Sequence, residues 1–508
     1  MSKNPNIILM FVDDLGIGDL TCFNPDSKIH TQHIDHLASQ GMCFDDCHAS
    51  SALCTPSRYG LLTGRYNWRS RIKIGVLPGH AYPLIEEGRE TLGTMLQKQG
   101  YKTACVGKWH LGMNWTTKNG YNLPSIYEDP NSDIEKAAKG IDFDAPIHDG
   151  PLTRGFDYFY GMPASLDQPP FVKIENDRIL KKPDHWIGKK NLSRQNSDDI
   201  DQVEYGPAAP DFDPKKIVPE MDNKVLELVE QYAGQDEPFF IYYPTLAVHQ
   251  PILPDDEFKD KSGIGPYGDL VLQVDNFVGR LTKLLEEKKI AEDTIVIFAS
   301  DNGCSAVVDY PALAKLGHNP SYIYRGKKGD IWDGGHRIPF VIRWPGHIEA
   351  GSRCDQMICL TDMFATIAEL VGFEYGDDAG EDSFSIQSLL KGDDQPVRDY
   401  VMHHSVCFYS LRKGEWKLEF CPGSGGMAAI FSKDPNNEFN SNPEGTPYQL
   451  YNMKEDVREQ HNLYGQKPEI EKELRDIAIQ CFNDGRSTPG SKQENHPAKW
   501  WPGIEWIH

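Results

Sequence analysis

The segment Asn6–Asp14, "NIILMFVDD", decides how the rest of the chain is read. Its apolar run lacks strict alternation, which suits a strand buried on both faces, and two adjacent carboxylates close it. The arrangement recurs three times. "YKTACVG" (101–107) leads into Lys108-Trp109-His110, "PFFIYYPTLAV" (238–248) into His249, and "TIVIFAS" (294–300) into Asp301-Asn302. Helical patterns separate these runs: "TQHIDHLASQG" (31–41), "TLGTMLQKQG" (91–100), "MDNKVLELVEQYAG" (221–234) and "LVLQVDNFVGRLTKLLEEKKI" (270–290). Alternating strands and helices predict an α/β domain around a mainly parallel central sheet. Ligands bind beyond the carboxyl ends of such strands, so the four polar endings are expected to share one site.

At 508 residues the chain is too long for one ordinary core, and a large domain with a smaller one is expected. The character changes near "GDDQPVRDY" (392–400). Beyond it, "YSLRKGEWKLEF" (409–420) and "TPYQLYNMK" (446–454) read as antiparallel strands, and "PEIEKELRDIAIQCF" (468–482) as an amphipathic helix. The expected division is 1–395 for the large domain and 396–508 for a small α+β one. From 110 to 220 the pattern loosens into Pro, Gly, Asn and Asp, as in "NLPSIYEDPNSD" (122–133) and "QPPFVKIENDR" (168–178), and reads as long excursions shaping the entrance to the site.

Composition excludes several roles. Hydrophobic residues make up 39% and charged residues 25%, and no apolar run approaches the roughly 20 residues that cross a bilayer, so membrane insertion is not expected. A net charge of −23 argues against nucleic acid held on a broad basic face. An anionic substrate must then meet a local basic pocket. The N-terminus runs from Met1-Ser2-Lys3-Asn4 into the first apolar stretch without the features of a signal peptide, so either the protein stays inside or a signal has been trimmed. Eleven cysteines, an odd number at loose spacings, do not outline a disulfide framework, and at least one thiol must be free or modified.

Asp13-Asp14 and Asp301-Asn302 offer the hard oxygen ligands that calcium or magnesium prefers. Either pair alone could simply cap a helix; two such pairs, with adjacent carboxylates that repel, favour a shared cation. Lys108 and His110 share a side if the segment stays extended. His249, in "VHQP", lies at a strand end. Lys327 and Lys328 sit among glycines in "YRGKKGDIWDGGH" (324–336), where backbone can approach a ligand closely. In "CTPSR" (54–58), Pro56 suits a first helical turn, placing Cys54 and Thr55 at a helix start where amides and the dipole attract anions. Arg58, about a turn later, faces the same end and can hold a planar array of anion oxygens.

"CTPSRYGLLTGR" (54–65) resembles the signature of the type I, formylglycine-dependent sulfatases, CxPxR followed by a helix ending in TGR. The likeness extends through "PNIILMFVDDLGIGDL", "GYKTACVGKWHLG", "IFASDNG", "RGKKGDIWDGGHRIPFVIRWPG" and "LYNMKEDVREQHNL", in order and over nearly the whole chain. It implies an alkaline-phosphatase-like fold with a smaller C-terminal domain, and hydrolysis of a sulfate ester. It also implies that Cys54 is oxidised by a maturation enzyme to formylglycine, whose hydrate attacks sulfur. By the same likeness Asp13, Asp14, Asp301 and Asn302 bind Ca2+ with residue 54, while Arg58 and His110 position and activate the hydrate. Lys108 and Lys328 bind sulfate oxygens, Lys328 aligning better than Lys327, and His249 protonates the leaving oxygen. The usual Glu-Gly-Gly is "DGG" here, with Asp333, and His336 stands where many members have an apolar residue.

The overall resemblance is to bacterial sulfatases acting on sulfated polysaccharides. It points to a 6-O- or 4-O-sulfated galactose or N-acetylgalactosamine unit and favours a periplasmic or secreted location; the loop "KLGHNPSYIYRG" (315–326), with His318, Tyr322 and Arg325, and the unusual His336 are the expected sugar contacts. The rival readings are a phosphonate or phosphate ester hydrolase of the same superfamily and, if Cys54 stays unconverted, a glycan-binding pseudoenzyme.

Overall fold

The structure is a computed structural model that describes residues 4–118, 134–189, 203–426, 445–498 and 501–507. Ten strands form its main sheet: β1 (Asn6–Val12), β2 (Met42–Phe44), β3 (Lys102–Lys108), β4 (Tyr158–Met162), β5 (Ile174–Glu175), β6 (Arg178–Ile179), β7 (Phe239–Pro244), β8 (Thr294–Ser300), β9 (Phe340–Arg343) and β10 (Ser352–Cys354). Their order across the sheet is β10-β2-β9-β8-β1-β7-β3-β4-β5-β6. The central five, β8-β1-β7-β3-β4, are parallel, and β9 runs against both of its neighbours.

The sequence of β1 explains its central place. Ile7, Leu9 and Phe11 enter one core, Ile8, Met10 and Val12 the other, and all six are essentially inaccessible. Each such side chain contributes about 1.5–3 kcal/mol on burial, so a strand apolar on both faces is stable only between two helical layers. One layer holds α1 (Gln32–Ser39), α4 (Pro214–Ala233) and α5 (Pro266–Glu287); the other holds α2 (Cys54–Thr63), α3 (Leu92–Lys98) and α6 (Asp362–Val371). Helix ends follow local chemistry. Asp213 accepts the Lys215 amide ahead of Pro214, and α2 stops at Gly64, whose φ of 64° is left-handed.

A separate antiparallel sheet, β11 (Tyr400–His404), β12 (Tyr409–Lys413), β13 (Trp416–Glu419) and β14 (Gln449–Asn452), packs on α7 (Pro468–Asp484). The chain is therefore α/β with a mostly parallel sheet and a smaller antiparallel one. The stretch read as loose excursions is more ordered than its composition suggests, because β4 extends the parallel sheet and β5–β6 form a hairpin at its edge. β4, "YFYGM", is aromatic rather than β-branched and only partly covered, so it lacks the apolar signature of the central strands. The segment 122–133 falls outside the described residues. All eleven cysteines are free thiols, and among the described residues no helix is long and apolar enough to cross a membrane.

Candidate active site

The carboxyl ends of β1, β3, β7 and β8 converge, as parallel neighbours must. Asp13 and Asp14 follow β1, and Asp301 and Asn302 follow β8. The Asp14 amide donates to Asp301 Oδ1 (3.1 Å), and Asn302 Nδ2 donates to Asp14 Oδ1 (2.8 Å). Asp14 and His110 have φ of 63° and 56°. A non-glycine residue held in this left-handed region costs on the order of 1 kcal/mol, and here the turn aims a side chain inward from a strand end.

Three cations interleave with three carboxylates, all buried except Lys328, whose side chain is partly exposed. Lys108 Nζ lies 2.6 Å from Asp13 Oδ2, and Lys328 Nζ 2.6 Å from Asp14 Oδ1. Arg58 Nη2 lies 2.7 Å from Asp301 Oδ2 and 3.3 Å from Asp13 Oδ1. The lysine doublet divides its work: Lys328 enters this cluster, whereas Lys327 turns its ammonium to the Tyr310 ring. Burial works against the Asp13 carboxylate, but Lys108, His249, Arg58 and Lys328 together hold it well below the usual range. Burial and the neighbouring Asp13 push Asp301 up to about 7 despite Arg58.

Cys54 is the first residue of α2, a helix buried along its whole length, and no side chain caps that helix start. The amides there and the helix dipole favour an anion. Burial raises the Cys54 thiol pKa, while Lys108 and Lys328 pull it down, so the encoded residue is a protonated thiol within reach of both cations. Thr55 Oγ1 donates to the His110 carbonyl (3.0 Å) and accepts from the Leu77 amide (3.2 Å). His110 Nε2 donates to the Leu77 carbonyl (2.8 Å), leaving Nδ1 buried with no partner. Burial, Lys108 and Arg58 hold His110 neutral.

His249 Nδ1 donates to the Gln250 carbonyl (2.9 Å), so Nε2 faces Asp14 Oδ2 at 3.6 Å. Behind it stands Asp167, whose Oδ1 is 3.7 Å from Nδ1 and whose Oδ2 accepts from Gln250 Nε2 (2.6 Å). Burial and Lys328 lower the His249 pKa, and Asp14, Asp13 and Asp167 oppose them.

The cluster also suits a cation. Asp13 Oδ1, Asp14 Oδ2 and Asn302 Oδ1 are buried and accept no hydrogen bond. Ligand atoms of Asp13, Asp14 and His249 come within 4.8 Å of one another. An oxygen-rich set of this kind fits a hard divalent ion. Three carboxylates against three cations make the cluster neutral by itself, so a divalent ion would leave it positive and ready for an anionic ester.

Three of the four expected sugar contacts, His318, Arg325 and His336, are engaged elsewhere. His318 is buried, with Nε2 on Asp19 Oδ1 (2.9 Å) and Nδ1 accepting the Lys28 amide (3.3 Å). Arg325 lies 3.6 Å over the Trp332 ring and donates to the Glu459 carbonyl. His336 belongs to a second buried cluster with His48, His403 and Lys417, and Asp333 of the variant "DGG" accepts from Lys417 Nζ (2.9 Å). Asp333 and His336 link the loop after β8 to the antiparallel sheet through Lys417 and His403. Asp167, Gln250 and the Leu77 carbonyl, which do border the site, carried no sequence signal, because they come from loops and backbone.

Comparison with known proteins accords with this geometry. The family model described as Sulfatase matches residues 5–373. An N-acetylgalactosamine-6-O-sulfatase of Bacteroides thetaiotaomicron is 32% identical over 507 residues, covering 94% of this chain and 93% of that protein. Human arylsulfatase A is 28% identical, covering 94% and 88%. A solved structure from work on glycosaminoglycan metabolism by Bacteroides thetaiotaomicron superposes with a TM-score of 0.79 at 31% identity, covering 94% of this chain and 99% of that one. The structure of Ps i-CgsB with a neocarrahexaose shares the fold, with a TM-score of 0.67 at 22% identity and coverage of 97% and 95%.

Proposed function

This chain belongs to the sulfatase family and is a sulfuric ester hydrolase, and we propose that it acts on sulfated glycans and that its substrate is a 6-O- or 4-O-sulfated galactose or N-acetylgalactosamine unit. We further propose that Cys54 is matured to formylglycine and that the divalent ion is calcium. The observation carrying this reading is the convergence of Lys108, Lys328 and Arg58 with three carboxylates at the strand ends, beside a helix that begins on Cys54.

The matured residue 54 would supply a geminal diol as nucleophile, and calcium on Asp13, Asp14, Asp301 and Asn302 would supply positive charge to the sulfate oxygens. The remaining work falls to side chains present in the chain. Lys108 and Lys328 bring two ammonium groups to the same oxygens, in a dry pocket where charge is weakly screened. Arg58 bridges Asp301 and Asp13 from below, fixing the carboxylates that a metal ion would need in place. His110, neutral and anchored through Nε2, offers Nδ1 as an acceptor for a proton leaving the nucleophile. His249 is aimed Nε2-first at the cluster, where a proton can pass to the leaving sugar oxygen, and Asp167 behind Nδ1 favours the charged ring.

Two measurements test this. Mass spectrometry of the Cys54 peptide from active protein should show a loss of roughly 18 Da, thiol to aldehyde. Full activity with only unmodified cysteine would eliminate the assigned nucleophile. A desulfation screen over defined sulfated oligosaccharides should favour the galacto-configured 6- or 4-sulfates, and a preference for the matched phosphate esters would point to the phosphohydrolase reading instead.

A further inference from the structure

Most buried polar atoms without a hydrogen-bond partner near the site are accounted for by the ion, the sulfate and the nucleophile; His80 and Gln168 are not. Gln168 Oε1 accepts no hydrogen bond, and His80 is partnered only by the Pro169 backbone, which leaves one ring nitrogen unpaired, yet the two residues are only 8% and 5% exposed. Burying such groups unpaired is costly, and a fold keeps them so where something else completes them.

Both are held rigidly beside the catalytic histidines. The Leu77 carbonyl accepts from His110, the Gly79 carbonyl accepts from Trp115 Nε1 (3.2 Å), and the Ala81 carbonyl accepts from the Met113 amide (2.8 Å). His80 thus lies in a strap pinned on either side of it. Across from the strap runs the segment of Asp167, Gln168 and Pro169. A Cβ at Gly79 would stand 2.6 Å from the Pro169 carbonyl oxygen, so the two backbones touch. Asp167 in that segment is the residue that backs His249. His249 thus lies between the aspartates and Asp167, Gln168 follows Asp167 in the chain, and the His80 strap packs against the next residue, Pro169.

The chemistry of this extension differs from that of the charged pocket. Burial pushes the His80 pKa down to about 4 against the Pro169 backbone hydrogen bond, so the ring is neutral, spends its one N–H on that carbonyl and keeps the other nitrogen as an acceptor. Gln168 adds a neutral amide oxygen. Neutral acceptors suit hydroxyl groups, which can donate to them, better than a second anion. We propose that His80 and Gln168 hydrogen-bond the hydroxyls of the sugar ring that carries the ester, next to the leaving oxygen, and so set which sugar is desulfated. This rests on the glycan reading above. A site built to pair a buried hydroxyl discriminates strongly against a substrate lacking it, because its own polar groups are then left unpaired.

The test compares matured wild type, His80→Ala, His80→Gln and Gln168→Leu on three substrates. These are whichever N-acetylgalactosamine 4- or 6-sulfate the wild type turns over, its deoxy analogue at the adjacent carbon, and 4-nitrophenyl sulfate, which has no sugar hydroxyl. For His80→Ala and Gln168→Leu, kcat/KM on the sugar sulfate should fall roughly ten- to hundredfold further than on the aryl sulfate. The wild-type penalty for the deoxy sugar should shrink in at least one variant, and His80→Gln should recover part of the loss. Equal losses on sugar and aryl esters would mean a merely structural strap and overturn the proposal, as would sugar turnover unchanged in both variants. A wild type that cleaves the aryl ester and no sugar sulfate would overturn the glycan reading and this assignment together.

Discussion

Arg58→Met tests the electrostatic construction of the site independently of turnover. The guanidinium, fully buried, sits 2.7 Å from Asp301 Oδ2 and 3.3 Å from Asp13 Oδ1. At an effective dielectric constant of about 20, the shorter contact alone is worth about 6 kcal/mol of attraction, part of which is offset by taking the charges out of water. Removing one partner of such a pair leaves the other uncompensated and typically costs about 3–5 kcal/mol. The loss falls mainly on Asp301, because Asp13 keeps Lys108 at 2.6 Å. Urea unfolding of chelator-treated protein should therefore show Arg58→Met about 3–5 kcal/mol less stable than wild type. Adding Asp301→Asn should restore part of that, since the stranded carboxylate is gone. Calcium should narrow the gap too, because the ion would take over the counter-charge. A variant within about 1 kcal/mol of wild type in chelator, or a double variant no better than the single one, would refute this account of the pocket.

Three further outcomes follow. His249→Ala should lower turnover of sugar sulfates by roughly 10²–10⁴-fold and of good aryl leaving groups far less, and equal losses in the two steady-state assays would contradict proton donation by His249. The wild-type unfolding free energy from urea titration should rise with free calcium, by about 2.7 kcal/mol at a hundred times the dissociation constant, and Asp14→Asn should remove most of that rise. Asp222, buried against the Tyr243 hydroxyl, is pushed up by burial from 3.8 to about 7. A folded-state pKa above the unfolded one means stability is lost as pH rises from about 4 to 7, on the order of 4 kcal/mol from this group, and Asp222→Asn should flatten that part of a urea-stability profile.

What could be read from the chain, and what could not, divides along the backbone rather than by residue type. Asp13-Asp14, Lys108, His249 and Asp301-Asn302 each follow an apolar run buried on both faces, and parallel pairing leaves those runs one way to lie. Their convergence is a property of the sheet, so the order of strands and helices was enough to foresee it. Cys54 and Arg58 were legible for a similar reason, since Pro56 marks the first turn and fixes which end of the helix both residues serve. His318, Arg325 and His336 had only composition behind them. A histidine or arginine among glycines looks alike whether it faces a ligand or a buried partner, and here the partners are Asp19, Trp332 and the His48–His403 cluster. Asp167, Gln168 and His80 fail in the opposite direction. They reach the site from irregular segments whose course is set by contacts far away in sequence, such as Gly79 against Pro169, and no local period records such a contact. The catalytic charges therefore sit where secondary structure delivers them, whereas the groups left to read the sugar sit on loops, which can change without disturbing the sheet.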